Sequence, residues 1–196
     1  YRKWLGEGFF RPKDITTKAN SHKMQAVYIP VWETSATARS NWTARAGYSE
    51  DIPGTGSSSS APKKRTRWEH VSGSRGETYG RVLISASKGL PQNWLDRLDD
   101  MDWGQIQGFA PSFLIGREVE QSVLDRAAAE SAARQEIQDR ERDACRSRVP
   151  GDTQDDLRVT TEISDFTARL LYLPVWLASF QYNDKVYRCI INGQSG

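Results

Sequence analysis

The sequence predicts an α+β fold, in which a predominantly antiparallel sheet is combined with one long helix. Three observations lead to this prediction: stretches of alternating apolar residues bounded by turn signals, a pentapeptide pattern that occurs twice, and one long charged stretch without proline or glycine. At 196 residues the chain is long enough for a domain with its own core. We therefore expect a single domain over residues 1–196.

A β-hairpin is predicted at the carboxyl end of the chain. Asn183-Asp184 lies between two runs of aromatic and β-branched residues, and a two-residue loop that begins with asparagine favours a type I′ turn. This loop predicts four facing pairs: Tyr182 with Lys185, Phe180 with Tyr187, Ala178 with Cys189, and Trp176 with Ile191. Because side chains alternate along a strand, all eight share one face, which is almost wholly apolar or aromatic.

The pattern Tyr-φ-Pro-Val-Trp, in which φ stands for an aliphatic residue, occurs at Tyr28–Trp32 and again at Tyr172–Trp176. We call it the YφPVW motif and expect both copies in one sheet system. The aromatic residues could border an exposed paired groove, or they could fill the interior of two related core strands. Large aromatic residues on sheet faces are usually buried, so the core interpretation is favoured.

Residues 118–148 are rich in alanine and charged residues and contain no proline or glycine, which predicts one long helix. Its apolar stripe is sparse, so much of its surface must face solvent or a partner. This reasoning predicts an intermolecular contact, either self-association or docking to a partner protein. The candidate contact residues lie in the second half of the helix: Arg134, Ile137, Arg140 and Cys145.

Several features set the context of the chain. Residues 51–62 are rich in glycine, serine and proline and are predicted to form a mobile loop. The first residue is Tyr1 rather than methionine, so we expect a segment of a longer protein. No run reaches the roughly 18 apolar residues of a membrane span. The two cysteines cannot build a disulfide framework, and free thiols suit the cytoplasm.

The search for catalytic motifs favours a non-enzymatic protein. The sequence has neither a GxxxxGK[ST] phosphate loop nor a GxGxxG fingerprint. Its two cysteines and two histidines do not form the close pairs of a zinc ribbon, so no cofactor is predicted in this segment. An enzyme with an unrecognised site, for which His70, Asp102 and Cys145 would be the residues to examine, remains the second alternative.

A basic run next to a tryptophan is the best candidate for nucleic-acid binding. It consists of Lys63, Lys64, Arg65, Arg67 and Trp68. Cations bind phosphates, and an aromatic ring can stack on a base. The net charge of only +2 argues against this use, and lysines also protect the edge strands of sheets. A nucleic-acid-binding accessory domain is therefore the first alternative.

Four stretches together resemble one family: RWEHVSGSRGETYGRVLISASKGLP, PSFLIGREVE, VPGD and LPVWLASFQYNDKVYRCIINGQSG. They are similar to bacterial zinc-ribbon proteins that are loosely labelled primosomal or replication-helicase-like. The resemblance runs from about Trp4 to Gly196, and its most specific part is the ending, LPVW followed by NGQSG. Asn183-Asp184, where Asn-Gly is commoner, and the insertion Ser57–Ser60 depart from the family pattern.

In that family a cysteine-rich ribbon precedes this region, and the chain continues beyond the NGQSG turn. The resemblance therefore implies a zinc site in a missing amino-terminal ribbon, and it carries over no activity to individual residues. Together with the residue-based reasoning, it predicts a non-catalytic protein-interaction or scaffold module.

Overall fold

The computed structural model describes residues 20–52, 63–98, 101–110, 112, 115–182 and 185–195. The predicted mobile loop lies almost entirely outside these residues. The chain forms two compact units. Unit 1 comprises Tyr1–Glu33, Leu83–Ala129 and Ala168–Gly196, and unit 2 comprises Thr34–Val82 and Glu130–Thr167. Strands β1, β2 and β4 contribute residues to both units, and the predicted single domain stays a prediction.

Strands dominate the structure. They are β1 (Asn20–Ile52), β2 (Lys63–Ser85), β3 (Glu118–Val119), β4 (Thr153–Tyr182) and β5 (Lys185–Asn192). The helices are α1 (Gln92–Leu95), a 3-10 turn at Trp103–Gln105, and α2 (Arg126–Arg146). The sheet order is β2-β1-β4-β5, and β3 pairs with β1 in parallel. The predicted α+β class, with a mostly antiparallel sheet and one long helix, is confirmed.

The carboxyl-terminal hairpin has the predicted register. Tyr182 pairs with Lys185, and the ladder continues through Phe180–Tyr187, Ala178–Cys189 and Trp176–Ile191. Asn183-Asp184 itself lies outside the described residues. Ala178, Cys189 and Ile191 are buried, as expected for the apolar face.

The two YφPVW motifs lie on neighbouring strands, β1 and β4, and both belong to unit 1. Their aliphatic members fill the interior: Ile29, Val31, Leu173 and Val175 belong to the core cluster of unit 1. The aromatic members point to the opposite face. Tyr28, Trp32 and Tyr172 are only half-buried, and Trp176 is 37% exposed. The expectation that the motif tryptophans fill the interior is therefore wrong for Trp176. Trp32 is half-buried and donates its indole N–H to the Leu124 carbonyl at 3.2 Å.

Alternation explains this arrangement. The aliphatic residues of the two motifs have odd residue numbers and pack against Leu90, Leu95 and Met101. These three residues cover the aliphatic face of the sheet. A strand can present only every second side chain to such a cover. Four aliphatic side chains occupy the covered face, so the tyrosines and tryptophans are left on the other one.

Helix α2 begins eight residues later than predicted. Glu118 and Val119 instead pair with Val27 and Tyr28 of β1. Asp125 ends the preceding segment, and its carboxylate accepts a hydrogen bond from the Ala128 N–H at 2.8 Å. This is the geometry of a helix N-cap, which fixes the first turn.

In unit 2, one stripe of α2 packs on the sheet. The stripe consists of Ala133, Ile137, Glu141 and Cys145, all completely buried. Small side chains on β1, such as Ala36 and Ala38, let the helix approach closely. The predicted partner contact through Ile137 and Cys145 is therefore wrong, because these side chains are covered by their own unit.

The two arginines of that prediction have local contacts. Arg134 lies 4.6 Å from the ring centroid of Phe166 in a cation–π contact. Arg140 pairs with Glu136 at 2.7 Å on the exposed side of the helix.

Within the described part of the chain, no helix is long and apolar enough to cross a membrane.

Candidate functional site

Tyr28 and Trp176, one aromatic residue from each YφPVW motif, line a cavity of about 520 Å³ in unit 1. We call it the aromatic pocket. Tyr28 of β1 lines one side, Pro174 and Trp176 of β4 line another, and residues 115–118 complete the wall. The motifs meet here because β1 and β4 are adjacent and both direct their even-numbered side chains to this face.

Backbone contacts hold the rim of the aromatic pocket in place. The Glu120 N–H donates to the Tyr28 carbonyl at 3.0 Å, which fixes the segment after β3 against β1. The Glu120 carboxylate in turn accepts hydrogen bonds from the Lys88 and Gly89 N–H groups at 2.7 and 3.0 Å. On the opposite side, the Gly193 N–H donates to the Pro174 carbonyl at 2.9 Å.

The mouth of the aromatic pocket combines apolar surface with one cation. Ile115 is 80% exposed and Trp176 is 37% exposed. The Arg117 guanidinium lies 5.8 Å from the Tyr28 ring centroid. The lining also includes Glu118 and is more polar than apolar, so the pocket offers aromatic and aliphatic contacts beside groups of both charges.

The NGQSG ending has a clear structural role next to this pocket. The side-chain oxygen of Asn192 accepts the Gln194 N–H at 2.8 Å. The Gln194 amide then pairs with the backbone of Asp102: its oxygen accepts the Asp102 N–H at 2.8 Å, and its nitrogen donates to the Asp102 carbonyl at 3.3 Å. The turn thus ties the end of β5 to the loop at residues 101–105.

The basic run of β2 is only partly available to a ligand. Lys64 and Arg65 are exposed, whereas the side chain of Lys63 lies outside what the structure describes. Arg67 donates to Glu50 at 2.6 Å and also to Glu69, and these hydrogen bonds raise the pKa of Arg67. Its charge is therefore offset within the chain.

Trp68 stands beside this run with 39% of its surface exposed, and the Arg45 guanidinium lies 4.9 Å from its ring centroid. Tyr48 lies here too, with the Arg67 guanidinium 5.0 Å from its ring centroid. The structure thus brings aromatic residues and several cations together, but it adds Glu50 and Glu69 to them. Nucleic-acid binding stays a prediction.

The residues considered for an unrecognised enzyme have separate surroundings. Asp102 belongs to unit 1, where its carboxylate accepts from the Gly104 N–H at 3.0 Å and from the Gln105 amide at 2.8 Å. His70 and Cys145 belong to unit 2. Burial, and then the Glu141 charge, raises the pKa of the Cys145 thiol, so the thiolate is disfavoured. Among the described residues, no three His, Cys, Asp or Glu side chains are grouped to hold a metal.

A buried polar cluster in unit 2 was missed by sequence reasoning. The Glu141 carboxylate of α2 accepts hydrogen bonds from Ser40 and Tyr79, each at 2.7 Å, and pairs with Arg75 at 2.9 Å. Ser40 also contacts the Thr161 hydroxyl at 2.8 Å. The one available signal was position, because Glu141 follows Ile137 and precedes Cys145 at four-residue spacing on the buried stripe.

This cluster predicts a pH dependence. Burial, followed by the hydrogen bond to Glu141, raises the pKa of Tyr79 from 10.0 to about 12. The unfolded tyrosine therefore loses its proton first, and stability is lost as the pH rises from 10 to 12. The advantage of the wild type over Tyr79→Phe should shrink across this range by on the order of 2 kcal/mol. Urea unfolding at several pH values measures the free energy of unfolding of both proteins. If that free energy falls equally steeply with pH in the wild type and in Tyr79→Phe, the prediction is wrong.

Comparison with known proteins gives one weak relative. The chain is 22% identical over 206 aligned positions to the uncharacterized protein YdjG of Bacillus subtilis (strain 168). The alignment covers all of this chain and 57% of that protein, so the chain spans little more than half of its relative's length. No family model matches the chain, and no solved structure matches it.

Proposed function

We propose that this chain is a non-catalytic protein-interaction module whose aromatic pocket binds an extended, proline-containing segment of a partner protein. One observation carries the proposal: Tyr28 and Trp176, one aromatic residue from each YφPVW motif, line the same cavity, and Trp176 is 37% exposed although side chains of this kind are usually buried.

The chemistry of the aromatic pocket favours a proline-containing ligand. Tyr28, Pro174 and Trp176 line the cavity together, so two aromatic rings and one pyrrolidine ring stand among its more numerous polar groups. Polyproline II segments fit such surfaces, because their pyrrolidine rings pack on aromatic faces and their stiff backbone loses little entropy on binding. Arg117 at the rim adds a preference for an acidic residue beside the prolines.

The wider role of the protein belongs to the same proposal. The resemblance to zinc-ribbon proteins suggests that a zinc-binding ribbon precedes this module in the full-length chain, and the module would then join that ribbon to a partner. Free thiols and the lack of a phosphate-loop sequence support a cytoplasmic scaffold rather than a nucleotide-driven enzyme.

A titration with a defined peptide tests the proposal. The probe is a synthetic peptide of ten prolines flanked by aspartates, and the indole N–H signals of the ¹⁵N-labelled protein report binding. We expect saturable shifts in the wild type and at least about tenfold weaker binding in Trp176→Ala, because a central aromatic anchor contributes about 2 kcal/mol or more.

Trp68→Ala is the matched control, since Trp68 is exposed to almost the same extent but lies in unit 2. It should bind the peptide as the wild type does. A glycine-serine peptide with the same aspartates should not bind. The proposal would be refuted if the proline peptide does not bind, or if Trp176→Ala binds it as tightly as the wild type. It would also be refuted if ten-residue oligothymidine binds instead of the peptide.

A further inference from the structure

The outer edge of β2 in unit 2 has no neighbouring strand among the described residues. β2 stands at the end of the sheet order and pairs only with β1. It is 23 residues long, whereas strands are typically about 5–6 residues. Its free edge therefore presents a long row of backbone donors and acceptors, which is a template for another strand.

The two open edges of unit 2 differ in how they are protected. On β4, Asp156 and Asp165 have backbone φ angles of 51°, and such left-handed residues interrupt regular pairing along an edge. On β2 the described residues include none with a positive φ angle, and the strand contains no proline. The β2 edge is thus regular, and the lysines that protect such edges stand only at its start, at residues 63 and 64.

The charged side chains on β2 are arranged so that one copy of the strand can pair with a second, antiparallel copy. Arg67, Glu69, Arg75 and Glu77 alternate in sign on the face that carries the Arg75–Glu141 pair. When two copies of β2 are laid antiparallel with Ser72 at the centre, Arg67 of each copy faces Glu77 of the other. Glu69 comes opposite Arg75, which is 9% exposed and stays paired with Glu141 of its own chain. Opposite charges that face each other across strands stabilise pairing. Arg67 and Glu77 are each close to half exposed, so both can take part in a contact with the second copy.

The other face of β2 fits the same register. Trp68 would lie opposite Gly76 of the second copy, and His70 opposite Ser74. A side chain added at Gly76 would meet its nearest atom only at 3.9 Å, so there is open space for the indole ring. An aromatic residue across from a glycine covers the backbone that the glycine exposes.

We propose that two copies of this chain associate through β2, antiparallel about a twofold axis at Ser72, so that their unit 2 sheets join into one. A twofold contact of this kind closes on itself and stops at a dimer. This surface belongs to unit 2 and does not depend on the peptide-binding role of unit 1.

A cysteine pair tests the register. In Ser72→Cys the two introduced thiols would face each other within disulfide range, since directly opposite Cα atoms lie about 4.5–5.5 Å apart. In Ser74→Cys the thiol faces His70 of the second copy and lies about 13 Å along the strand from its own counterpart, so no bond can form. Cys145 and Cys189 are buried and do not interfere. We expect a disulfide dimer from Ser72→Cys under mild oxidation, and only monomer from Ser74→Cys on a denaturing gel.

Sedimentation velocity on the full chain tests the association itself. The wild type should sediment as a dimer, and Ser72→Lys, which places two lysines face to face, should weaken dimerisation about fivefold or more. Thr160→Lys, an exposed change on β4, is the matched control and should remain dimeric.

A second variant, Glu77→Arg, should also weaken the dimer, and combining it with Arg67→Glu in one chain should restore dimerisation. The proposal would be overturned if the wild type is a monomer or if both cysteine variants crosslink equally. It would also be overturned if the Ser72→Lys dimer is as tight as that of the wild type.

Discussion

Replacing Glu141 by alanine is expected to lower the free energy of unfolding of unit 2 by about 3–5 kcal/mol. The Glu141 side chain is completely buried, and the change leaves the Arg75 guanidinium, which is 9% exposed, without its main counter-charge. Ser40 and Tyr79 lose their acceptor at the same time. Breaking a buried ion pair costs more than the pair contributes, because the remaining charge cannot be solvated.

Glu136→Ala is the matched control on the same helix. Glu136 is 43% exposed and pairs with Arg140 four residues along, a contact worth only about 0.3–0.5 kcal/mol. Denaturant unfolding followed by circular dichroism measures both variants. If Glu141→Ala costs no more than Glu136→Ala, the buried cluster does not hold α2 to the sheet.

Gly193→Ala should also be strongly destabilising, by about 2–4 kcal/mol in unit 1. An added Cβ would lie 2.6 Å from the Pro174 carbonyl oxygen and 2.7 Å from its carbon. Both are backbone atoms of β4, so the turn must move away, and the Gly193–Pro174 hydrogen bond breaks with it. The Gln194 pairing with Asp102 depends on the same turn.

Gly108→Ala serves as the control in the same unit, since no atom lies within 4 Å of its added Cβ. Its free energy of unfolding should stay within about 0.5 kcal/mol of the wild type. A Gly193→Ala protein as stable as Gly108→Ala would mean that the NGQSG turn is not packed on β4 as described.

Local patterns predicted the local features of the fold. The register of the carboxyl-terminal hairpin follows from the Asn183-Asp184 turn and from alternation, and both are properties of neighbouring residues. The long helix follows from composition. Its start was misplaced because Asp125 is a common residue in an unremarkable context, and only the capping contact to Ala128 distinguishes it.

Features that depend on distant residues were not predictable in the same way. Glu141 looks like a solvated helix residue until β2 supplies Arg75 and Tyr79. The orientation of the YφPVW motifs depends on which face is covered, and the residues that decide this, including Leu90 and Leu95, come from a separate part of the chain. An alternating pattern with a period of two residues predicts a strand. When both faces of the strand are apolar, the pattern does not say which of them is buried.

The proposed peptide-binding role requires Trp176 to be accessible at the aromatic pocket of unit 1. Hydroxyl-radical footprinting with mass spectrometry measures this directly, because it reports the oxidation rate of each tryptophan. We predict that Trp176 oxidises about as fast as Trp68, and that Trp42, which is 7% exposed, oxidises much more slowly. Protection of Trp176 to the level of Trp42 in the isolated chain would contradict the proposed role.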